Sequence, residues 1–426
     1  MHHFSSPSAL TTIGLSLAFT TSLVACGDDD DPVPTTASST TASTGGSDGV
    51  GGMGGTGGGT GGTGAMGGDG AGGGATDCLP ATEHTDDFAI VDPGLCVVAK
   101  YTTDQPGGTY TWGRHGGPMR VTTIDDVEDP NSNLSDAELT RLTPPAGMTT
   151  GTLAATTATY DLNIDAKGFT QFLGSEALDI PGTTGTILSY TNLDVSGEVR
   201  VFDGTTPAGA VMMVGFFRGT FLEEAGDNRL LYTGLTVLGD GDINNSEAGL
   251  YQTEFCAGLT LCDPPAPSLV DAWGGANAGV ALDGAGNAFA AQGDAGDTVI
   301  RGFAATAVAP GAATPAAGVS VGSYAGFGGE LAALAPSGDQ DGYVFAQPQT
   351  FDNVAMVVVS DDVVAYRYDD TGGTITVDDD ESAVVLDLAP DPNPAVALVN
   401  DDQGRLWVGA PNANGTTFYV LQRADP

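Results

Sequence analysis

A hairpin unit recurs along this chain at a nearly fixed interval, and few folds can accommodate such a pattern. Each unit is an apolar strand, a turn containing Asp and usually Gly, and a second strand carrying an aromatic residue. The clearest copies are Gly279-Val280-Ala281-Leu282, Asp283, Gly286-Asn287-Ala288-Phe289; Leu331-Ala332-Ala333-Leu334, Asp339, Gly342-Tyr343-Val344-Phe345; and Val396-Ala397-Leu398-Val399, Asp402, Gly404-Arg405-Leu406-Trp407. Earlier copies centre on Asp104 (Cys96 to Ala99, then Thr109 to Trp112), Asp165 (Tyr160 to Ile164, then Phe169 to Phe172) and Asp227 (Gly219 to Leu222, then Leu230 to Tyr232). Successive Asp spacings are 61, 62, 56, 56 and 63 residues. A constant period with one hairpin at fixed phase is what repeated supersecondary units produce.

Between the hairpins lie further Val/Thr/Tyr/Phe runs bounded by Asp, Gly, Asn and Pro, which predict an all-β fold. Ile187 to Tyr190 with Val199 to Phe202, and Met356 to Val359 with Val363 to Tyr366, supply a second hairpin per unit. Four strands per period of about sixty residues predict a β-propeller of six blades, with seven as the next count. The terminal strands, Phe88 to Tyr101 and Val396 to Gln422, would close the ring together. Two tandem β-sandwiches are the alternative architecture. One short helix is expected, since Ser135-Asp136-Ala137-Glu138 has capping-box spacing before Leu139 and Leu142. The turns Asp283-Gly284-Ala285-Gly286-Asn287 and Asp402-Gln403-Gly404 resemble those of NHL and gluconolactonase-like propellers, a resemblance that covers three of the six units.

The head so defined spans 86–426, ample for a large core. Ahead of it, 26–85 has almost nothing to bury: 19 glycines fall between Gly45 and Ala75, with no aromatic residue. Such a stretch cannot offset its ordering entropy and is expected to be a disordered tether, with a root-mean-square span of roughly 40 Å.

Ahead of the tether, Ala9 to Ala25 is mainly apolar, short for a membrane span and without a basic stop-transfer signal, so 1–25 is expected to be a signal peptide. It ends in Leu23-Val24-Ala25-Cys26. A lipoprotein signal peptidase needs an apolar residue three before the cut, small residues beside it and a thiol after it. The start of the chain therefore resembles that of bacterial lipoproteins. The resemblance implies lipidation of Cys26, anchoring in the cell envelope and, with Gly27 next, the outer membrane, facing the periplasm or the cell surface. Met1-His2-His3 departs from the pattern in lacking Lys or Arg. An ordinary secretory peptide with a chance Cys is the competing reading.

Cys78, Cys96, Cys256 and Cys262 remain, an even number suited to two disulfides in an oxidising compartment. Nearest-neighbour pairing joins Cys78 to Cys96 and Cys256 to Cys262, although four cysteines allow three connectivities. A zinc site from Cys78, His84, Cys96 and His115 fits no ribbon or finger spacing.

Charge and motifs then limit function. The formal net charge is −42, which repels phosphate backbones and excludes nucleic acid as a partner. Gly318-Val319-Ser320-Val321-Gly322 matches a nucleophile elbow, but no helix follows and the last histidine, His115, lies far upstream, so it is expected to be a strand. Calcium is the one ligand with a local signal. Asp240, Asp242, Asn244 and Ser246 set oxygen ligands at alternate positions and Glu247 or Glu254 can complete the set, although Asn245 and Tyr251 occupy positions where an EF-hand needs Gly and Glu. The Asp369-Asp370 and Asp378 to Glu381 runs flank the expected strand Thr374 to Val377. No pair of carboxylates stands out as an acid/base site.

The sequence thus predicts an envelope-anchored binding or scaffolding module for protein, glycan or envelope polymer. Its rival is a propeller hydrolase or lactonase with a carboxylate-held metal, and a third reading is a surface-coat component.

Overall fold

A computed structural model describes residues 78–80, 85–92, 94–113, 116–124, 134–165, 173–180, 182–191, 197–224, 227–237, 246–256, 260–261, 268–273, 277–294, 297–309, 318–326, 330–338, 340–352, 357–377, 382–388, 395–401 and 403–424. The expected signal peptide and nearly all of the expected tether lie outside them. The described chain is all-β, with one 3-10 turn at Ala305–Ala307.

After β1 (Phe88–Ile90) and β2 (Leu95–Thr103), the strands β3 (Thr111–Gly113), β4 (Gly117–Ile124), β5 (Leu134–Thr143) and β7 (Ala154–Asp165) form one antiparallel sheet. The intervening β6 (Thr150–Thr152) lies parallel to β2. An eight-stranded sheet follows, from β8 (Leu173–Asp179), β9 (Gly185–Thr191), β10 (Gly197–Asp203), β11 (Thr206–Glu224), β12 (Asp227–Val237), β13 (Ser246–Cys256), β14 (Thr260–Leu261) and β15 (Ser268–Trp273). The third sheet runs β16 (Asn277–Leu282), β17 (Ala288–Asp294), β18 (Asp297–Phe303), β19 (Val319–Ala325). In the fourth, β20 (Leu331–Leu334), β21 (Gly342–Ala346), β24 (Val363–Asp370) and β26 (Ser382–Leu388) are joined by β25 (Ile375–Thr376) and, at the edge, β1. The pair β22 (Gln349–Asp352) and β23 (Val357–Ser360) forms a separate two-stranded sheet between β21 and β24. The last sheet is β27 (Ala397–Asn400), β28 (Leu406–Asn412), β29 (Gly415–Arg423), completed by β2 and then β6.

These five sheets are the blades of a β-propeller. β3 lies against β8, β8 and β16 against β11, β16 against β20, β20 against β27 and β27 against β3, so the sequence of contacts returns to its start. The core is divided accordingly. Met119, Leu139, Tyr160, Leu188 and Phe202 fill one interface; Leu231, Leu250, Ala288 and Phe303 the next. Phe289, Ile300, Val344, Tyr366 and Tyr368 fill the third, Phe345, Leu386, Leu398, Leu406 and Tyr419 the fourth, and Tyr101, Tyr110, Leu142, Trp407 and Phe418 the fifth. Along β29 the period of two is plain, since Phe418 and Val420 face one interface and Tyr419 and Leu421 the other. A strand buried on both faces reads as an unbroken apolar run, which explains Leu331 to Leu334 and Gly342 to Ala346.

Several expectations need correction. The blade count is five, neither six nor seven, because β11 runs unbroken and pairs with β10 through Met213 and with β12 from Val214, fusing two expected units into one sheet. Tandem sandwiches are replaced by the ring. The hairpins at Asp227, Asp283, Asp339 and in the last unit form as β11–β12, β16–β17, β20–β21 and β27–β28. That at Asp104 does not, since β2 and β3 belong to different sheets, and for that at Asp165 the expected second strand, Phe169 to Phe172, lies outside the described residues. The expected partner of Val363 to Tyr366 pairs instead with β22, although the Ile187 to Phe202 hairpin forms as β9–β10. Ser135 to Glu138 lies within β5, where ladders to β4 and β7 on both sides override the capping spacing. Closure by both termini does occur, through the antiparallel ladder of β2 on β29, while β1 pairs with β26.

Candidate functional site

Two turns with the same construction meet at one end of the inner strands. In 283–287, Asp283 Oδ1 accepts from the backbone N–H of Ala285 and Asn287, both at 2.8 Å. In 401–405, Asp401 Oδ1 accepts from Gln403 at 2.9 Å and Arg405 at 2.8 Å. Gly286 (φ +87°) and Gly404 (φ +70°) take the left-handed conformation that closes each turn. The turns touch: a Cβ on Gly404 would lie 3.4 Å from the Cα of Gly284.

The second oxygen of Asp283 reaches across the blades, whereas that of Asp401 stays within its own hairpin. Asp283 Oδ2 accepts from the Tyr368 hydroxyl at 2.5 Å and from Asn287 Nδ2 at 2.9 Å. The same Asn287 amide donates to Asp370 Oδ2 at 3.0 Å, its Oδ1 accepts from Ala305 N–H at 2.9 Å, and Asp370 Oδ1 accepts from Gly373 N–H at 3.0 Å. Burial, reinforced by the Asp283 charge, raises the Tyr368 pKa, so this phenol stays a donor at neutral pH. Asp401 Oδ2 accepts from Arg405 Nε at 2.7 Å and Trp407 Nε1 at 3.0 Å.

Other polar groups stitch blades together. Glu330 accepts from Leu398 N–H at 2.7 Å and Tyr110 N–H at 3.3 Å, and Asn400 pairs with both backbone groups of Ala333. Between the first two sheets, Arg141 forks onto Asp179 at 2.6 and 3.1 Å and also donates to Tyr160 and Thr186. Asp179 and its partners raise the Arg141 pKa against the opposing effect of burial. A buried pair of this kind fixes geometry more than it adds stability.

This arrangement can hold turns and blades in place; each interior acid named here already accepts at least two hydrogen bonds. Among the described residues no group of three or more His, Cys, Asp or Glu is placed to hold a metal. Asp240, Asp242 and Asn244 lie outside the described residues, and Ser246 and Glu247 enter the β12–β13 ladder opposite Val237 and Thr236. Cys78 and Cys96 form a disulfide. Cys256 ends β13 opposite Thr260, whereas Cys262, Cys26, His84 and His115 lie outside the described residues. Ser320 lies in strand β19, as expected. Of the acidic runs, Asp370 joins the Asp283 cluster and Asp378 to Glu381 lie outside the described residues.

Sequence reasoning placed the last turn one residue late. Asp401, not Asp402, stands three residues before the turn glycine, as Asp283 does before Gly286, and that spacing was the available signal. Tyr368, Glu330 and Arg141 carried none.

No family model and no curated protein matches the chain. Solved structures similar to it include an alpha-L-arabinofuranosidase from Fusarium graminearum, 10% identical, with 78% of this chain and 94% of that chain covered and a TM-score of 0.40. An aldose sugar dehydrogenase from Streptomyces coelicolor is 10% identical over 72% of this chain and 98% of that one, with a TM-score of 0.38. The Aleuria aurantia lectin is 10% identical over 77% and 96%, with a TM-score of 0.33. At these values the likenesses assign neither activity nor ligand.

Proposed function

We propose that the chain is a lipid-anchored envelope protein, held in the outer membrane through Cys26, whose propeller is a binding or scaffolding module for a protein, a glycan or an envelope polymer. The observation that carries this reading is the use of the interior acids. Asp179, Asp283 and Asp401 are buried, and the donors they accept from belong to their own turns and neighbouring blades. Acids committed in this way hold the ring rigid. The chain's 54 acidic residues against 12 basic ones are consistent with cationic or neutral ligands. Calcium on Asp240, Asp242, Asn244, Ser246 and Glu247 is part of the proposal, as an ion that would brace the β12–β13 connection.

One observation favours a hydrolase or lactonase instead: Asp283 and Asp370 both reach the amide of Asn287, so two carboxylates come close in the third interface. A metal there would have to displace Asn287 and Tyr368. The test is retention of the mature chain on immobilised envelope polymers and envelope proteins, in calcium and in chelator, with the eluate examined for cleaved material. The module reading predicts retention with the polymer unchanged. Chelator-sensitive release of cleaved polymer would establish the hydrolase, and no retention on any of them would overturn the module.

A further inference from the structure

The outer strand of a blade carries a row of backbone N–H and C=O groups with no further strand beside it. Natural edges are blunted by shortness, charge, proline or a bulge. β1 and β6 have three residues each, and β19 turns Val321, Gly322 and Tyr324 inward. β7 has none of these protections over its first half. It is last in its sheet, and among the described residues its ladder is with β5. Residues 154–159 read Ala-Ala-Thr-Thr-Ala-Thr, without charge or proline, and all except the half-buried Ala158 are exposed. The irregularity between Ser135 and Asp136 falls opposite residues 161–164, beyond this stretch. Among the described residues the result is a β-prone edge with both faces accessible.

Charge selects what such an edge can take. Glu138 stands opposite Thr159, and Asp136 opposite Asp161. Arg141, opposite Thr156, is buried and ion-paired with Asp179 at 2.6 Å, so it offers no positive charge to a visitor. A second copy would set −42 against −42, whereas a basic strand gains attraction as well as the backbone ladder.

We propose that Ala154–Thr159 of β7 is a docking edge that takes an extended, lysine- or arginine-bearing segment of another polypeptide as an added strand. The proposal rests on the binding-module reading and specifies its partner. Its test uses the full mature chain with a labelled strand-length peptide alternating Val and Lys, and the same peptide with Glu for Lys. Anisotropy reads affinity and hydrogen exchange reads the footprint. Binding of the Lys peptide, slowed exchange at 154–159, and about tenfold weaker binding by Ala155→Lys and by Thr157→Lys are expected, because each variant puts a like charge against the peptide. If either variant fails to fold, the wild-type footprint decides. Equal binding of the Glu peptide, no binding, or self-association protecting 154–159 without peptide overturns the proposal. A footprint elsewhere overturns the edge and leaves the module reading standing, whereas failure of that reading is registered separately by loss of retention on envelope material.

Discussion

An aspartate at the start of a hairpin can accept from two amides that the turn would otherwise leave without partners, and Asp283 and Asp401 both do so. Removing such a side chain leaves buried donors unsatisfied. Asp283→Ala, which also removes the shorter of the Tyr368 hydroxyl's two acceptor contacts and strands an Asn287 N–H, is expected to cost about 3 kcal/mol in urea unfolding. Gly404→Ala, forced into φ +70° beside Gly284, is expected to cost roughly 1–2 kcal/mol. The interior phenols give a pH dependence. Burial raises the pKa of Tyr110, Tyr324, Tyr366, Tyr368 and Tyr419. Below about pH 10 these groups are protonated folded or unfolded, so their contribution to stability is intact. Above it the unfolded chain releases protons that the folded chain retains, and stability falls as pH rises. Tyrosinate absorbance of these residues should therefore appear together with loss of the β-sheet dichroism; a smooth titration without unfolding would contradict the burial.

A strand between two blades must satisfy both faces, and this is why the later hairpins were legible in the sequence. Leu331 to Leu334, Val396 to Val399 and Gly342 to Phe345 are apolar at every position or nearly so, and a turn with Gly follows or precedes each. The boundaries between blades were not legible, because the crossing from β2 to β3 also reads as an apolar run, an Asp and an aromatic run. Nor did the sequence reveal that Thr206 to Glu224 is one strand, since the change of register between Gly215 and Arg218 does not end it. Of the site, the acid of each turn was visible in its spacing to glycine. Its partners were not, as Tyr368 and Asp370 stand 85 and 83 residues from the groups they bond. The ring closes where β2 joins β29, and the Cys78–Cys96 disulfide ties the entering chain to that strand. A Cys78→Ser/Cys96→Ser double variant should lose about 3 kcal/mol, measured by denaturant midpoint at unchanged slope. No loss would mean that the bond adds nothing to closure.

For the molecule as a whole, rigid blades, a formal charge of −42 and the proposed flexible attachment fit the proposed task of presenting an acidic surface at a distance from a bilayer. The five-bladed ring fixes where edges and turns face, and the interior acids keep it in register. In the proposed reading, acylation of Cys26 is what would make this an envelope module instead of a free secreted protein, because acyl chains would hold it to the membrane. The deciding measurement is fatty-acid labelling of the full chain and of Cys26→Ser in a diderm bacterium, followed by separation of membrane and soluble fractions. The wild type is expected to carry label and sediment with the outer membrane, and Cys26→Ser to be unlabelled and absent from that membrane. An unlabelled wild type recovered in the soluble fraction, or equal labelling of the variant, would contradict the account.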